Sequence, residues 1–157
     1  MITPLDVSDS LHILQNNYIG RMAYIFNNKP YIVPMTYYYN QANHSLVCYS
    51  AEGHKISSLR KNNNVSFEVE DIESVDKWRT VVIHGTYLEL SGSDVRYQLH
   101  LFALGVKKII KVHEGREVDY ISEFSSKIYK NDLPITFLIR VNEITGKERS
   151  YRIKEKS

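Results

Sequence analysis

Tyr49-Ser50-Ala51-Glu52-Gly53-His54-Lys55-Ile56-Ser57-Ser58-Leu59-Arg60 reads as the end of a strand, a tight turn at Gly53 and a short helix with Ile56 and Leu59 on its apolar side. A strand that empties straight into a helix leaves several backbone N–H groups unpaired at the helix start. Those groups, together with the helix dipole, favour an anion. The same turn supplies a hydroxyl (Ser50), an imidazole (His54) and an ammonium (Lys55). Two readings stand side by side: a seat for a phosphate, or an ordinary strand-to-helix connection with a solvated lysine.

Working outward, the flanking sequence is mostly strand. Asp6 is a plausible N-cap for a first helix that carries Leu11 and Leu14 on one face and runs to about Asn17. Residues 20–26 read as a strand, followed by the turn residues Asn27-Asn28-Lys29-Pro30. Residues 31–39 read as a second strand with Tyr31, Val33, Met35, Tyr37 and Tyr39 on one face. Pro34 lies inside it and cannot donate to a ladder, so this strand belongs at an edge or carries a bulge. Residues 40–44 form a turn before the strand 45–50.

Beyond the helix, Asn62-Asn63-Asn64 is a stop, and Val65, Phe67 and Val69 alternate as in a half-buried strand. Residues 71–77 read as an acidic loop. The long strand 79–90 places Thr80, Val82, His84, Thr86 and Leu88 on one face, and Gly85 marks a bulge, a bend or a close approach. Ser93 caps a helix with Val95, Leu99 and Phe102 on one face, and Gly105 ends it. In a helical excursion over about 93–134, Val118, Ile121, Phe124 and Ile128 continue the helical spacing. Residues 135–144 close the sheet, and the tail from Lys147 alternates in charge. About six strands with hairpin links and few helices predict a mainly β fold, an antiparallel barrel rather than a parallel sheet, in a single domain over 1–157.

Composition narrows the function classes. A net charge of +2 gives no strong push toward nucleic acid or an anionic membrane. The lone Cys48 excludes an internal disulfide and fits a reducing cytoplasm. No stretch approaches the roughly 20 apolar residues of a membrane span, and no signal-peptide pattern opens the chain. There is no Walker loop, no dinucleotide fingerprint and no Cys/His set spaced for zinc, so no metal site is expected. His12, His44, His100 and His113 read as solvated, whereas His54 and His84 sit at positions where a ligand role is in play. Tyrosine is over-represented, at 12 of 157 residues, a residue suited to strand surfaces, planar ligands and subunit contacts.

Tyr31-Ile32-Val33-Pro34-Met35-Thr36, the Tyr49-Ser50 pair, the run from Gly53 through Lys61-Asn62-Asn63-Asn64-Val65-Ser66-Phe67, and Trp78-Arg79-Thr80-Val81-Val82-Ile83-His84-Gly85-Thr86 together resemble the flavin-binding split-barrel proteins. This is the superfamily of pyridoxamine 5′-phosphate oxidase, and the likeness is greatest to its nitroimidazole-resistance branch. It covers roughly Leu11 to Leu90, with weaker support from Ile135 to Lys147. The resemblance implies a six-stranded antiparallel split β-barrel with peripheral helices, assembled as a homodimer that binds FMN between its subunits. It places Val33, Pro34, Met35 and Thr36 along the isoalloxazine, Tyr49 and Ser50 near the flavin and its ribityl chain, His54 and Lys55 at the phosphate, and Thr80 as a polar flavin contact. His84 and Tyr37 are the candidates for the substrate side.

The sequence departs from the oxidase in three places. His54 stands where the oxidase has arginine, Asn64 where the family usually has proline, and the C-terminal tryptophan and arginine motif for pyridoxamine phosphate is not recognisable. The expected activity is therefore a cytoplasmic, FMN-dependent oxidoreductase acting on a small planar substrate such as a nitroaromatic. Vitamin B6 oxidation and flavin or haem binding without turnover are the alternatives, and an all-β module without cofactor is a further one.

Overall fold

A computed structural model of the chain describes residues 1–116 and 133–150. In order come β1 (Ile2–Leu5), α1 (Val7–Gln15), β2 (Ile19–Phe26), β3 (Lys29–Thr36), β4 (Tyr38–Asn40), β5 (Ser45–Ser50), α2 (His54–Lys61), β6 (Asn64–Ser74), β7 (Lys77–Glu89), α3 (Ser93–Glu114) and β8 (Ile135–Arg149). One antiparallel sheet takes in all eight strands, ordered β3-β2-β6-β7-β8-β5-β4, with β1 added along β8. Asn27 and Asn28 link β2 to β3 in a two-residue turn at φ 49° and 60°, a conformation asparagine tolerates better than most residues.

Among the described residues the expected six strands become eight, because the stretch read as one strand over 31–39 is two and because β1 adds another. Tyr37 leaves the ladder: its N–H donates to the Tyr18 carbonyl at 2.8 Å and its hydroxyl to the Leu14 carbonyl at 2.7 Å. β3 and β4 thus sit at opposite ends of the strand order with one residue between them in the chain. The sheet has to curl until its two edges meet at Tyr37, and no ladder joins them there. Pro34 lies on the outermost strand, across from Arg21 of β2, where its missing N–H costs no hydrogen bond.

Inside the curl, Met22, Tyr24, Met35, Tyr37, Phe67, Val69, Val81, Ile83 and Phe137 form a core that α1 and α2 complete with Leu14, Ile56 and Leu59. α1 starts where expected, with the Asp6 carboxylate accepting from the Asp9 N–H at 2.7 Å, and ends at Gln15, two residues early. On the outer surface of β5 and β8 a second core joins Val47 and Leu138 to Val95, Leu99, Phe102, Val106 and Ile110 of α3.

Three local expectations change. β6 continues through the acidic stretch to Ser74, with Asp71 and Ile72 facing Arg79 and Trp78, and only Val75 and Asp76 make the turn. Gly105 does not end α3. The helix runs on to Glu114 and stops at Gly115 in the left-handed conformation (φ 66°), while Gly105 lies under the Tyr38 ring, which a Cβ there would strike. Gly92, not Ser93, is the N-cap residue. Gly85 does mark a register shift against β8, where a Cβ would collide with the Arg140 carbonyl. The spacing at Val118, Ile121, Phe124 and Ile128 and the end of the tail lie outside the described residues. Among the described residues no helix is long and apolar enough to cross a membrane, and no group of three or more His, Cys, Asp or Glu is placed to hold a metal ion.

Candidate functional site

β5 delivers the chain to α2, whose Ile56 and Leu59 are completely buried and fix the helix against the core. The Gly53 backbone is extended (φ 164°), nothing crowds its missing Cβ, and no side chain caps the helix. A glycine is thus not sterically required at the turn. The first-turn amides of α2 thus receive no side-chain acceptor from the N-cap residue.

Arg60 holds the approach to the helix in place. Its guanidinium grips Glu52 at 2.8 and 3.1 Å and Glu89 of β7 at 2.8 and 3.2 Å. The Tyr87 hydroxyl adds a 2.7 Å bond to Glu89. Arg60 and then Tyr87 hold the Glu89 carboxyl below the usual carboxylate range. Sequence reading missed this clamp because Glu89 lies 29 residues from Arg60 and only the fold joins them.

Lys55 is the group left over. Its side chain is half-buried, its Nζ donates only to the Met35 sulfur at 3.5 Å, and it has no ion-pair partner among the described residues. Burial pulls its pKa down from the ordinary lysine value, against a smaller upward pull from Cys48. Cys48 itself is completely buried, and burial raises its thiol far above the usual range, so it is inert at neutral pH. An ammonium drawn partly out of water, beside uncapped helix amides, is in want of an anion.

The other predicted residues divide between places. Met35 and Lys55 meet, as do their elements β3 and α2. Val33 shares the inward face of β3 with Met35, whereas Pro34 and Thr36 face outward. Ser50 ends β5 beside α2, its hydroxyl donating to the Ala51 carbonyl at 3.1 Å. The Tyr49 ring packs edge-on against Phe102 of α3, in the second core. His54 turns its imidazole onto Phe26 (4.5 Å between ring centres) and Tyr31 (5.2 Å), with Nδ1 3.2 Å from the Tyr24 hydroxyl. The fixed charge at the helix start is then that of Lys55.

Thr80 lies on the outward face of β7, across from Glu70 and Lys147, and so on the opposite face of the sheet from Met35. Tyr37 cannot line a substrate: it is completely buried, its ring against Phe67 and its hydroxyl spent on Leu14. His84 is exposed on the outer face and 2.8 Å from the Ser66 hydroxyl.

A family model described as pyridoxamine 5′-phosphate oxidase matches residues 6–147. The chain belongs to the pyridoxamine 5′-phosphate oxidase family. The match takes in the α2 approach, Met35, Lys55 and the whole outer face of β7. The chain is similar to an uncharacterized protein of Rhizobium meliloti, 29% identical over 131 residues, which cover 82% of this chain and 83% of the relative. Among solved structures, an FAD-binding protein from Mesorhizobium loti superposes with a TM-score of 0.73 at 24% identity, over 96% of this chain and 99% of the other. A proposed 5-nitroimidazole antibiotic resistance protein from Bacteroides thetaiotaomicron gives 0.71 at 18% identity, over 94% and 87%. An FAD and heme binding protein from Mycobacterium smegmatis gives 0.69 at 12% identity, over 94% and 74%. At these identities the likeness is one of fold.

Proposed function

We propose that this member of the pyridoxamine 5′-phosphate oxidase family is a split-barrel flavoprotein that seats the phosphate of FMN at the start of α2 and reduces a small planar substrate such as a nitroaromatic. The observation that carries the reading is Lys55, a half-buried ammonium without a carboxylate partner among the described residues, set on uncapped helix amides. Arg60 is committed to Glu52 and Glu89, so the seat offers one cation and suits one phosphate group. Similar structures are of proteins described as binding FAD. FMN is favoured here because, among the described residues, nothing at the seat supplies a second cation for a pyrophosphate.

Bound flavin would supply the redox chemistry, and the chain's own residues would hold and orient it. Val33, Pro34, Met35 and Thr36 offer the edge strand β3 to the ring, Ser50 flanks the approach, and Lys55 holds the phosphate. Protein reconstituted with FMN is expected to consume NADH or NADPH in the presence of a nitroaromatic, and to form no aldehyde from pyridoxamine phosphate. Full flavin occupancy without consumption of either nicotinamide would replace the enzyme with a carrier or sensor. The similarity in fold to the FAD and heme binding protein gives that second reading its support.

A homodimer completes the proposal. Tyr37 and Tyr39, in the tyrosine-rich stretch suited to subunit contacts, are core residues. The outward face of β2 and β3 instead exposes Ile19 (52%) and Ile32 (70%), apolar surface of the kind that marks an interface. Met35 and Thr80 lie on opposite faces of the sheet, so one flavin touching both sets would take them from two copies. Sedimentation is expected to give a dimer, and Ile32→Lys to shift it toward monomer with loss of flavin. A stable monomer with full flavin content would reject the dimer.

A further inference from the structure

Gly85 and Asn142 form a device that the phosphate seat does not use. Between β7 and β8 the register slips: His84 faces Glu143, but Gly85 faces Val141, which leaves Asn142 as an extra residue in β8. Such a bulge re-aims the side chain it carries. The slip needs Gly85, because a Cβ there would run into the Arg140 carbonyl. Asn142 is thereby brought to a hollow of about 370 Å³ that it lines with Ser66, His84, Ala23, Ile25 and Pro30. This volume is within the range of small-molecule sites, about 300–1,000 Å³.

The polar groups of the hollow are ordered. Ser66 and His84 are direct partners across β6 and β7, with Oγ and Nδ1 2.8 Å apart. The Ser66 hydroxyl can donate to Nδ1 or accept from it, and in the donating arrangement the imidazole carries its proton on Nε2 and is able to offer it. Asn142 Nδ2 donates to the Thr86 hydroxyl at 2.8 Å, and Oδ1 has no protein donor among the described residues. One rim thus offers His84 Nε2 as a donor in that arrangement and Asn142 Oδ1 as an acceptor. The other wall is apolar, from Ile25 and Pro30, and the small side chain of Ala23, across from Ser66, opens the floor. His84 and Ile25 are exposed on the outer face of the sheet, whereas Met35, which meets Lys55, belongs to the core inside it. The hollow is thus separate from the phosphate seat of the same chain.

We infer that this hollow is a second binding site, for a small planar heterocycle whose edge carries a carbonyl beside an N–H, as in a carboxamide or a lactam. The carbonyl takes the His84 Nε2 proton, the N–H donates to Asn142 Oδ1, and the ring lies against Ile25 and Pro30. The inference stands on the bulge and its neighbours and does not depend on a flavin being bound.

Nicotinamide is the probe, with methyl nicotinate as the control that keeps the ring and carbonyl but lacks the N–H. In flavin-loaded and flavin-free protein alike, nicotinamide is expected to shift the imidazole resonances that His84→Ala removes. Methyl nicotinate is expected to bind more weakly. His84→Ala and Asn142→Ala each remove one neutral hydrogen bond, which corresponds to roughly 2- to 12-fold weaker nicotinamide binding. Both positions are exposed, so circular dichroism and flavin content should match the parent protein. Unshifted His84 resonances at saturating nicotinamide, equal affinity for the ester, or unchanged binding in both variants would overturn the assignment.

Discussion

Phe67→Ala is expected to lower folding stability by about 3–5 kcal/mol, the usual range for deleting a buried aromatic ring. Phe67 is 1% exposed and stands at the centre of β6, facing Met22 of β2 and Ile83 of β7. Its ring meets Tyr37 edge-on, with centres 5.2 Å apart. The space for it exists because residue 20 is glycine, and a Cβ there would overlap the Phe67 ring. Tyr37 in turn carries the hydrogen bond that ties the joint between β3 and β4 to α1. Removing Phe67 leaves a cavity under that joint, where the two sheet edges meet without a ladder to hold them. A typical domain has about 5–15 kcal/mol in all, so the loss is a large share of the total. Urea titration should show a lower midpoint with an unchanged slope. A loss below about 1 kcal/mol would mean that the core does not close around this ring.

Alternation makes most of the sheet legible. Val65, Phe67 and Val69 read as one buried face and are one, and Thr80, Val82, His84 and Thr86 share the outward face of β7 as their spacing predicts. Pro34 announces an edge strand or a bulge, because a missing N–H has only a few permitted places, and the edge is what forms. The break at Tyr37 is not legible. Alternation continues unbroken from Met35 through Tyr37 to Tyr39, all three of them buried, so periodicity reports burial without reporting that the partner strand has changed. Gly105 misleads for a related reason: a glycine that ends a helix and one that admits a neighbouring ring look alike until Tyr38 is brought to it.

The site is legible in part. The helix start, Lys55 and Ser50 come from local sequence, since strand, turn and helix are contiguous there. The Arg60 clamp, the Ser66–His84 pair and the bulge at Asn142 join residues from separate strands and require the register to be known. His54 reads as a phosphate partner from its place beside Lys55, but aromatic packing on β2 and β3 claims its ring.

Lys55→Ala tests the phosphate seat. If the ammonium were merely solvated, its loss would change stability by no more than about 0.5 kcal/mol and leave flavin binding alone. A charge-assisted hydrogen bond to a phosphate is worth about 1.5–3 kcal/mol. Losing it corresponds to roughly 10- to 150-fold weaker FMN binding. The effect should shrink at high ionic strength only modestly, because Lys55 is half-buried and less screened than a surface charge. Riboflavin has the same ring and ribityl chain without the phosphate, so it reports any general damage the substitution does to the site. The decisive measurement is the ratio of FMN to riboflavin affinity, by titration of flavin-free protein, in the parent chain and in Lys55→Ala. The account predicts a parent that prefers FMN and a variant that loses most of that preference while its riboflavin affinity stays the same. An equal ratio in the two proteins would place the phosphate elsewhere and contradict the account.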